Sequence, residues 1–201
     1  MITTTRLFAT ILAFILPLST PGFAAEAAAK RRLLFTEYGK GPNRFVELDG
    51  EGKLVWELKP PSTTVIFQVL PNGNILYQAN WTKTAEVDPS GKVVWEYDSA
   101  TSNGNAGKPL EVHAIQRLEN GSTMISESGV CRIIEVDKDG KLQREVKLTV
   151  DTPSKHSDTR LARKTAAGTY LVAHERDGKV REYNAEGKVI WEYSVPLFEK
   201  P

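Results

Sequence analysis

The sequence predicts an all-β fold that is assembled from repeated antiparallel sheets, and three observations support this prediction. Nearly the same phrase occurs four times in the 201 residues, at 47–58 (ELDGEGKLVWEL), 86–97 (EVDPSGKVVWEY), 135–146 (EVDKDGKLQREV) and 182–193 (EYNAEGKVIWEY). A second landmark, a turn glycine, precedes the last three phrases at nearly constant spacing, at Gly73, Gly121 and Gly168. No segment after residue 30 has the apolar period of a helix. Two landmarks that share one period indicate a repeat architecture.

Short β-rich runs separated by turn residues make up each repeat. We predict four strands in each of the last three units, at 65–70, 74–80, 83–88 and 92–97, at 112–118, 122–128, 132–137 and 142–148, and at 159–165, 169–175, 179–184 and 188–195. The first unit shows only three, at 33–38, 44–49 and 54–58. Asn-Gly and Asp-x-x-Gly between the runs indicate hairpin turns, because Gly and Asn tolerate a positive φ.

Four-stranded antiparallel units at a period of about 40 to 50 residues are typical of a β-propeller. We therefore predict four blades, the first incomplete, at about 33–58, 65–97, 112–148 and 159–195. The last strand of three blades carries a tryptophan at one position (Trp56, Trp95 and Trp191), and we interpret these rings as packing between blades. Arg144 replaces the ring in the third repeat.

The first 25 residues are typical of a signal peptide. Arg6 precedes an apolar run at 7–19, and small residues such as Gly22 and Ala24 follow it. The run is shorter than the roughly 20 residues that span a bilayer. We expect cleavage, a linker at 26–32 and a periplasmic or extracellular protein; an uncleaved N-terminal anchor is the alternative.

Charge and cysteine content exclude several classes of function. The 26 basic and 25 acidic side chains nearly cancel, which argues against a nucleic-acid or anionic-membrane partner. Cys131 is the single cysteine, so the fold has no internal disulfide. We expect Cys131 to be a small core residue at the start of a strand.

The phrase AEVDPSGKVVWEY resembles the tryptophan-docking repeat of PQQ-like, quinoprotein-type propellers, with Ala85, Asp88, Gly91 and Trp95 at its key positions. The phrase EVHAIQRLENGSTMIS is similar to repeats of arylsulfotransferase-like propellers. Both groups close with six to eight blades, so the chain is a fragment, closes a small ring or combines with a second chain. The sulfotransferase resemblance implies that His113 is a sulfuryl acceptor. We expect no PQQ and no other cofactor, since the calcium site and adjacent cysteines of PQQ dehydrogenases have no counterparts here.

Two regions hold the candidate site residues. His113 and Arg160 occupy equivalent positions in the first strands of their blades, which line the central channel of a propeller. His156 and Asp158 lie in the loop at 151–160, at one end of the channel. A histidine and an arginine that converge on this funnel can bind an oxyanion. Zinc-ligand spacings are absent and DKDGK at 137–141 reads as a turn, so no metal site is predicted.

Taken together, the sequence predicts a non-catalytic binding module with a small anionic ligand or a protein partner at the funnel mouth. The ligand contacts would be His113, His156, Asp158 and Arg160. The alternative is an arylsulfotransferase-like or quinoprotein-like enzyme fragment that acts only in a complete propeller. An open propeller also leaves exposed blade edges, which favours self-association.

Overall fold

The computed structural model describes residues 31–196, and these residues form four antiparallel β-sheets. The first sheet contains three strands, β1 (Leu33–Glu37), β2 (Arg44–Leu48) and β3 (Leu54–Leu58). The second contains β4 (Phe67–Val69), β5 (Ile75–Gln78), β6 (Lys83–Val87) and β7 (Val93–Asp98). The third contains β8 (Glu111–Arg117), β9 (Thr123–Ser128), β10 (Arg132–Val136) and β11 (Leu142–Lys147). The fourth contains β12 (Leu161–Lys164), β13 (Tyr170–His174), β14 (Lys179–Tyr183) and β15 (Val189–Ser194).

The order of strands within each sheet follows the chain, so every sheet is a simple meander. The first strands of consecutive four-stranded sheets contact one another, β4 with β8 and β8 with β12, as inner strands around a common axis do. This arrangement confirms the predicted propeller with an incomplete first blade. The predicted signal peptide lies outside the described residues. Among residues 31–196 we find no helix that is long and apolar enough to cross a membrane.

The outer hairpin is built in the same way in all four blades. The side chain of Asp88, for example, accepts hydrogen bonds from the backbone amides of Ser90 (2.9 Å) and Lys92 (3.0 Å). Equivalent pairs of bonds are accepted by Asp49, Asp137 and Asn184. A register shift in the last strand but one precedes the turn in every blade. The repeated Asp or Asn therefore serves the local turn.

The core lies between neighbouring sheets, in three apolar clusters that each join one blade to the next. Phe45 of the first blade packs edge-on against Phe67 and Tyr77 of the second, with ring centroids 5.5 Å apart in both pairs. Such pairs stabilise by about 0.5–1.5 kcal/mol beyond their area burial. Because a lone sheet cannot cover both of its faces, each blade depends on its neighbours for its core.

Two of the three repeated tryptophans dock on the following blade. The indole nitrogens of Trp56 and Trp95 donate hydrogen bonds of 3.0 Å to the backbone carbonyls of Pro89 and Lys138, in the next outer hairpin. Trp191 occupies the same strand position but is 49% exposed, because the described part of the chain contains no fifth blade. The predicted packing between blades therefore does not hold for Trp191.

The glutamate after the tryptophan has a role that the sequence analysis missed. It points to the other side of its strand and, in every blade, pairs with a basic residue of the strand just before its own, including the third blade, where Arg144 replaces the tryptophan. The pairs are Glu57 with Arg44, Glu96 with Lys83, Glu145 with Arg132 and Glu192 with Arg181. In the Trp-Glu dipeptide, the tryptophan thus packs against the next blade, and the glutamate forms a salt bridge within its own blade.

Candidate functional site

A β-bulge places His113 at the inner strand of the third blade. In the pairing of β8 with β9, Val112 opposes Glu127 and Ala114 opposes Ser126, so His113 is the extra residue. The backbone of Val112 is tied to the second blade, since its amide donates to the carbonyl of Trp81 (2.7 Å) and its carbonyl accepts from Gln78 (2.6 Å). Bulges re-aim side chains and are frequent beside functional sites.

The loop before β12 brings His156 and Arg160 to the same place. Asp158 is fully buried and anchors this loop to the turn between β9 and β10. Its carboxylate accepts hydrogen bonds from the Ser128 hydroxyl and from the Gly129 amide (2.8 Å). At the end of the loop, the backbone amide of Arg160 donates to the carbonyl of Ala173 (2.9 Å).

Gly129 is needed where the loop crosses this turn. Its φ is +85°, and a Cβ at this position would lie 2.2 Å from the carbonyl oxygen of Pro109 and 2.8 Å from Cβ of Lys155. Cys131, in the same turn, has a φ of +53° and is half-buried, so the expectation that it is a core residue at the start of a strand is wrong. Its thiol lies 3.4 Å from the Asp158 carboxylate.

The centre of the site is a hydrogen-bond network around Glu111. One carboxylate oxygen, Oε2, lies 3.1 Å from His113 Nε2 and 2.8 Å from His156 Nδ1. Because a carboxylate only accepts, these two ring nitrogens carry the protons. Nδ1 of the neutral His113 ring is then an acceptor, and Arg160 Nη1 lies 3.4 Å from it and 3.4 Å from His156 Nε2. The Nε atom of Arg160 also contacts the Glu175 carboxylate at 2.6 Å.

Burial, charge and hydrogen bonding shift the pKa values of two buried members of this network, His113 and Glu111. Burial, followed by the positive charge of Arg160, lowers the pKa of His113 below its ordinary value. Burial alone would raise the pKa of Glu111, but the hydrogen bonds from His156 and His113 outweigh it and lower the pKa. Glu111 is therefore an anion beneath neutral His113 at pH 7.

Exposed side chains surround this buried centre. Trp81 is 55% exposed and His156 is 54% exposed, and their ring centroids are 5.7 Å apart. Arg160 and Lys155 add two partly exposed cations beside the rings. His113 is only 3% exposed and packs under Trp81 and His156, at centroid distances of 6.0 Å and 5.2 Å. We name the exposed set, Trp81, Lys155, His156 and Arg160, the mouth surface.

Glu111, His113 and His156 also form a possible metal-ligand set, which the sequence analysis did not predict. Each offers one ligand atom, and these atoms lie within 4.8 Å of one another. Two imidazoles and a carboxylate suit Zn²⁺. The guanidinium of Arg160 disfavours such an ion for two reasons. It adds a positive charge beside the site. It also lies against the outer ring nitrogens of both histidines, which in a metal site usually donate to an acceptor.

The structure brings together three of the four predicted ligand contacts, His113, His156 and Arg160. It separates Asp158 from them, since both carboxylate oxygens of Asp158 serve the loop anchor. Trp81 and Glu111 were missed. Glu111 lies two residues before His113, a proximity that could have been noticed, whereas Trp81 comes from another blade and no local signal points to it.

Comparisons with known proteins agree with this fold. The family described as "Outer membrane protein assembly factor BamB", with PQQ-like repeats, matches residues 42–200. No curated protein gives a significant match.

Three solved structures are similar to the chain. A protein of unknown function from Bacteroides caccae is 20% identical over 82% of the chain and 58% of its own length, with a TM-score of 0.65. A streptogramin B lyase is 19% identical over 84% of the chain and 53% of its own length, with a TM-score of 0.59. Virginiamycin B lyase from Staphylococcus aureus is 18% identical over 84% and 54%, with a TM-score of 0.58. The chain thus spans little more than half the length of these structures, and the likeness concerns the fold.

Proposed function

The chain belongs to the PQQ-like β-propeller repeat family described as outer membrane protein assembly factor BamB, and from this premise we propose that it is an exported, non-catalytic binding module. Two observations support export: the positive, apolar and small-residue order of residues 1–25, and the outer-membrane description of the family. The binding site that we propose is the mouth surface.

The observation that carries this proposal is an exposed aromatic and cationic surface set on a rigid base. Large aromatic rings and arginines are the residues that most often dominate binding energy. The ring of Trp81 is held over His113, whose own ring is fixed through Glu111. A preorganised surface loses little entropy when a ligand binds.

The chemistry of the mouth surface favours a flat ring that carries an anionic group. The indole of Trp81 offers a face for stacking. The cations of Lys155 and Arg160, which contact Glu111 and the two histidines respectively, can pair with a carboxylate or sulfate. The Glu111 carboxylate is covered by the two histidines and lies 3.6 Å from the Lys155 ammonium, so its negative charge already faces a cation. We therefore propose a small aromatic carboxylate or sulfate as the ligand class.

The geometry around His113 supports binding over group transfer. A nucleophilic imidazole needs a free ring nitrogen that faces the substrate. Nε2 of His113 faces Glu111 and Nδ1 faces Arg160, and the ring is buried under Trp81. The enzyme alternative would require Arg160 to leave before His113 could attack a sulfate ester.

Titration of the purified chain with benzoate and phenyl sulfate, followed by calorimetry, tests this proposal. We expect saturable binding that weakens with added salt, and no binding of the neutral ring benzyl alcohol. Trp81→Ala and Arg160→Gln should each weaken binding at least about tenfold, which corresponds to roughly 1.4 kcal/mol. Lys138→Gln is the matched control, since it also removes one exposed positive charge but lies on an outer hairpin.

Two results would contradict the proposal. Equal affinity of the wild type, Trp81→Ala and Arg160→Gln would show that the ligand does not bind at the mouth surface. A sulfuryl group found on His113 by mass spectrometry after incubation with phenyl sulfate would favour the enzyme alternative.

A further inference from the structure

The contacts of Trp56 and Trp95 show how the last strand of one blade packs against the outer hairpin of the next blade. In each, the indole nitrogen donates to the carbonyl of the residue that follows the turn aspartate. The residue two places after the tryptophan then covers the turn glycine of the next blade. A Cβ on Gly91 would lie 3.1 Å from Leu58, and one on Gly140 would lie 3.4 Å from the ring of Tyr97. The tail of one blade, a tryptophan and the residue two places on, thus fits the hairpin of its neighbour.

The fourth blade presents an exposed tail in the same shape. The rings of Trp191 and Tyr193 are stacked with centroids 6.3 Å apart and an interplanar angle of 7°, against 6.4 Å and 8° for Trp95 and Tyr97. Their surroundings differ, since Tyr97 is 5% exposed and Tyr193 is 50% exposed. The tail is therefore already arranged for docking, but its apolar surface faces water.

The first blade carries a hairpin of the matching kind, and no described residue covers its turn glycine, Gly52. Its turn is closed by Asp49 through the same two backbone hydrogen bonds as in the other blades. A Cβ on Gly52 would meet nothing within 4 Å among the described residues, unlike one on Gly91 or Gly140. The apolar residue Leu33, in the first strand of this blade, is also exposed. Both halves of one contact thus occur on the same chain.

We propose that a second copy of this chain occupies the tail of the fourth blade with the hairpin of its own first blade. In this contact, the indole nitrogen of Trp191 donates to the carbonyl of Gly50 of the second copy, and Tyr193 covers its Gly52. A head-to-tail contact closes into a ring when the rotation permits. Two copies would supply eight blades, which lies within the usual range of about four to eight. This inference does not depend on the proposed ligand.

The mass of the purified chain, measured by light scattering over a wide range of concentration, tests the inference. We expect a concentration-dependent species of twice the chain mass. Trp191→Ala removes the tail, and Gly52→Asn adds a side chain to the hairpin while Asn still tolerates the positive φ of +80°. Each variant alone should be monomeric. An equimolar mixture should again form pairs, because the intact tail of Gly52→Asn meets the intact hairpin of Trp191→Ala.

Trp81→Ala is the control, since it removes another exposed tryptophan and should leave association unchanged. Association of Gly52→Asn alone, with no gain on mixing, would indicate that two tails pair with each other and would overturn the inference. A wild type that stays monomeric, or one whose association survives both substitutions, would also overturn it. Circular dichroism of each variant shows whether the blades remain folded, so a loss of pairing can be separated from unfolding.

Discussion

The indole nitrogen of Trp95 donates a hydrogen bond to the carbonyl oxygen of Lys138, 3.0 Å away and 43 residues later in the chain. This bond joins the last strand of the second blade to the outer hairpin of the third. It gives the repeated tryptophan a polar role as well as an apolar one.

Trp95→Phe should destabilise the fold by about 1 kcal/mol or more, because it removes this hydrogen bond and part of the buried ring. Trp81→Phe should change stability by less than about 0.5 kcal/mol, since that ring is half exposed. Urea unfolding followed by circular dichroism measures both. Equal effects of the two substitutions would argue against tryptophan docking as a stabilising contact.

Asp158→Ala should loosen the loop that carries His156 and Arg160. It leaves the Ser128 hydroxyl and the Gly129 amide without their acceptor, which costs about 1–3 kcal/mol. Hydrogen exchange should rise in residues 151–160, and Asp151→Ala, which removes a carboxylate that pairs with Lys179 and Arg181, serves as the comparison. Unchanged exchange at 151–160 in Asp158→Ala would refute the anchor.

The fold should lose stability as the pH falls below about 6.5. Burial is the main cause that lowers the pKa of both His113 and His174. As the pH falls, these histidines are therefore protonated in the unfolded chain before they are protonated in the folded chain, which favours unfolding. Stability is complete above the unfolded pKa of about 6.5 and declines as the pH falls towards the folded values. The lowered pKa of Glu111 adds a further loss below about 4.5.

Urea midpoints at about pH 7.5 and about pH 5.5 measure this dependence. His174→Gln should show a smaller difference between the two, whatever its absolute stability, because one of the two lowered groups is gone. The same midpoint at both pH values in the wild type would contradict the prediction.

Cys131 should react slowly with thiol reagents in the folded chain. Burial, followed by the negative charge of Asp158, raises the pKa of its thiol to about 12, and only the thiolate reacts. Labelling at about pH 8 should be complete in urea and much slower in its absence. Fast labelling of the folded chain would contradict this placement of the thiol beside the carboxylate.

Arg160→Gln should strengthen the binding of Zn²⁺ at Glu111, His113 and His156 by about tenfold or more. Removing one positive charge 3.4 Å from two ligand rings is worth roughly 1 to 4 kcal/mol, depending on the local dielectric. Calorimetry with Zn²⁺ measures the effect, and His113→Ala added to Arg160→Gln should reverse it. Equal Zn²⁺ affinity with and without Arg160 would show that the guanidinium does not oppose a cation there.

The fold could be predicted from the sequence more fully than the site, because the fold depends on local contacts and the site depends on contacts between blades. The hairpins around Asp88 and Asp137 depend on residues within five positions of each other, so their sequence pattern is sufficient to predict them. The equivalence of His113 and Arg160 followed from the repeat itself. Trp81 could not be placed beside them, because only the packing of the second blade on the third brings it there. Likewise, Asp158 was predicted to contact a ligand, but it is buried against a turn some thirty residues earlier in the chain, which local sequence does not reveal.

The proposed site draws on three blades in succession: Trp81 from the second, His113 from the third and Arg160 from the fourth. Arrays of repeats can unfold piecemeal, since each unit is coupled only to its neighbours. A ligand that binds across all three would be lost as soon as any one of them opened. Bound ligand would therefore make the three blades unfold together in one transition. In calorimetric scans, the unfolding peak should become narrower and move to a higher temperature when the ligand is present.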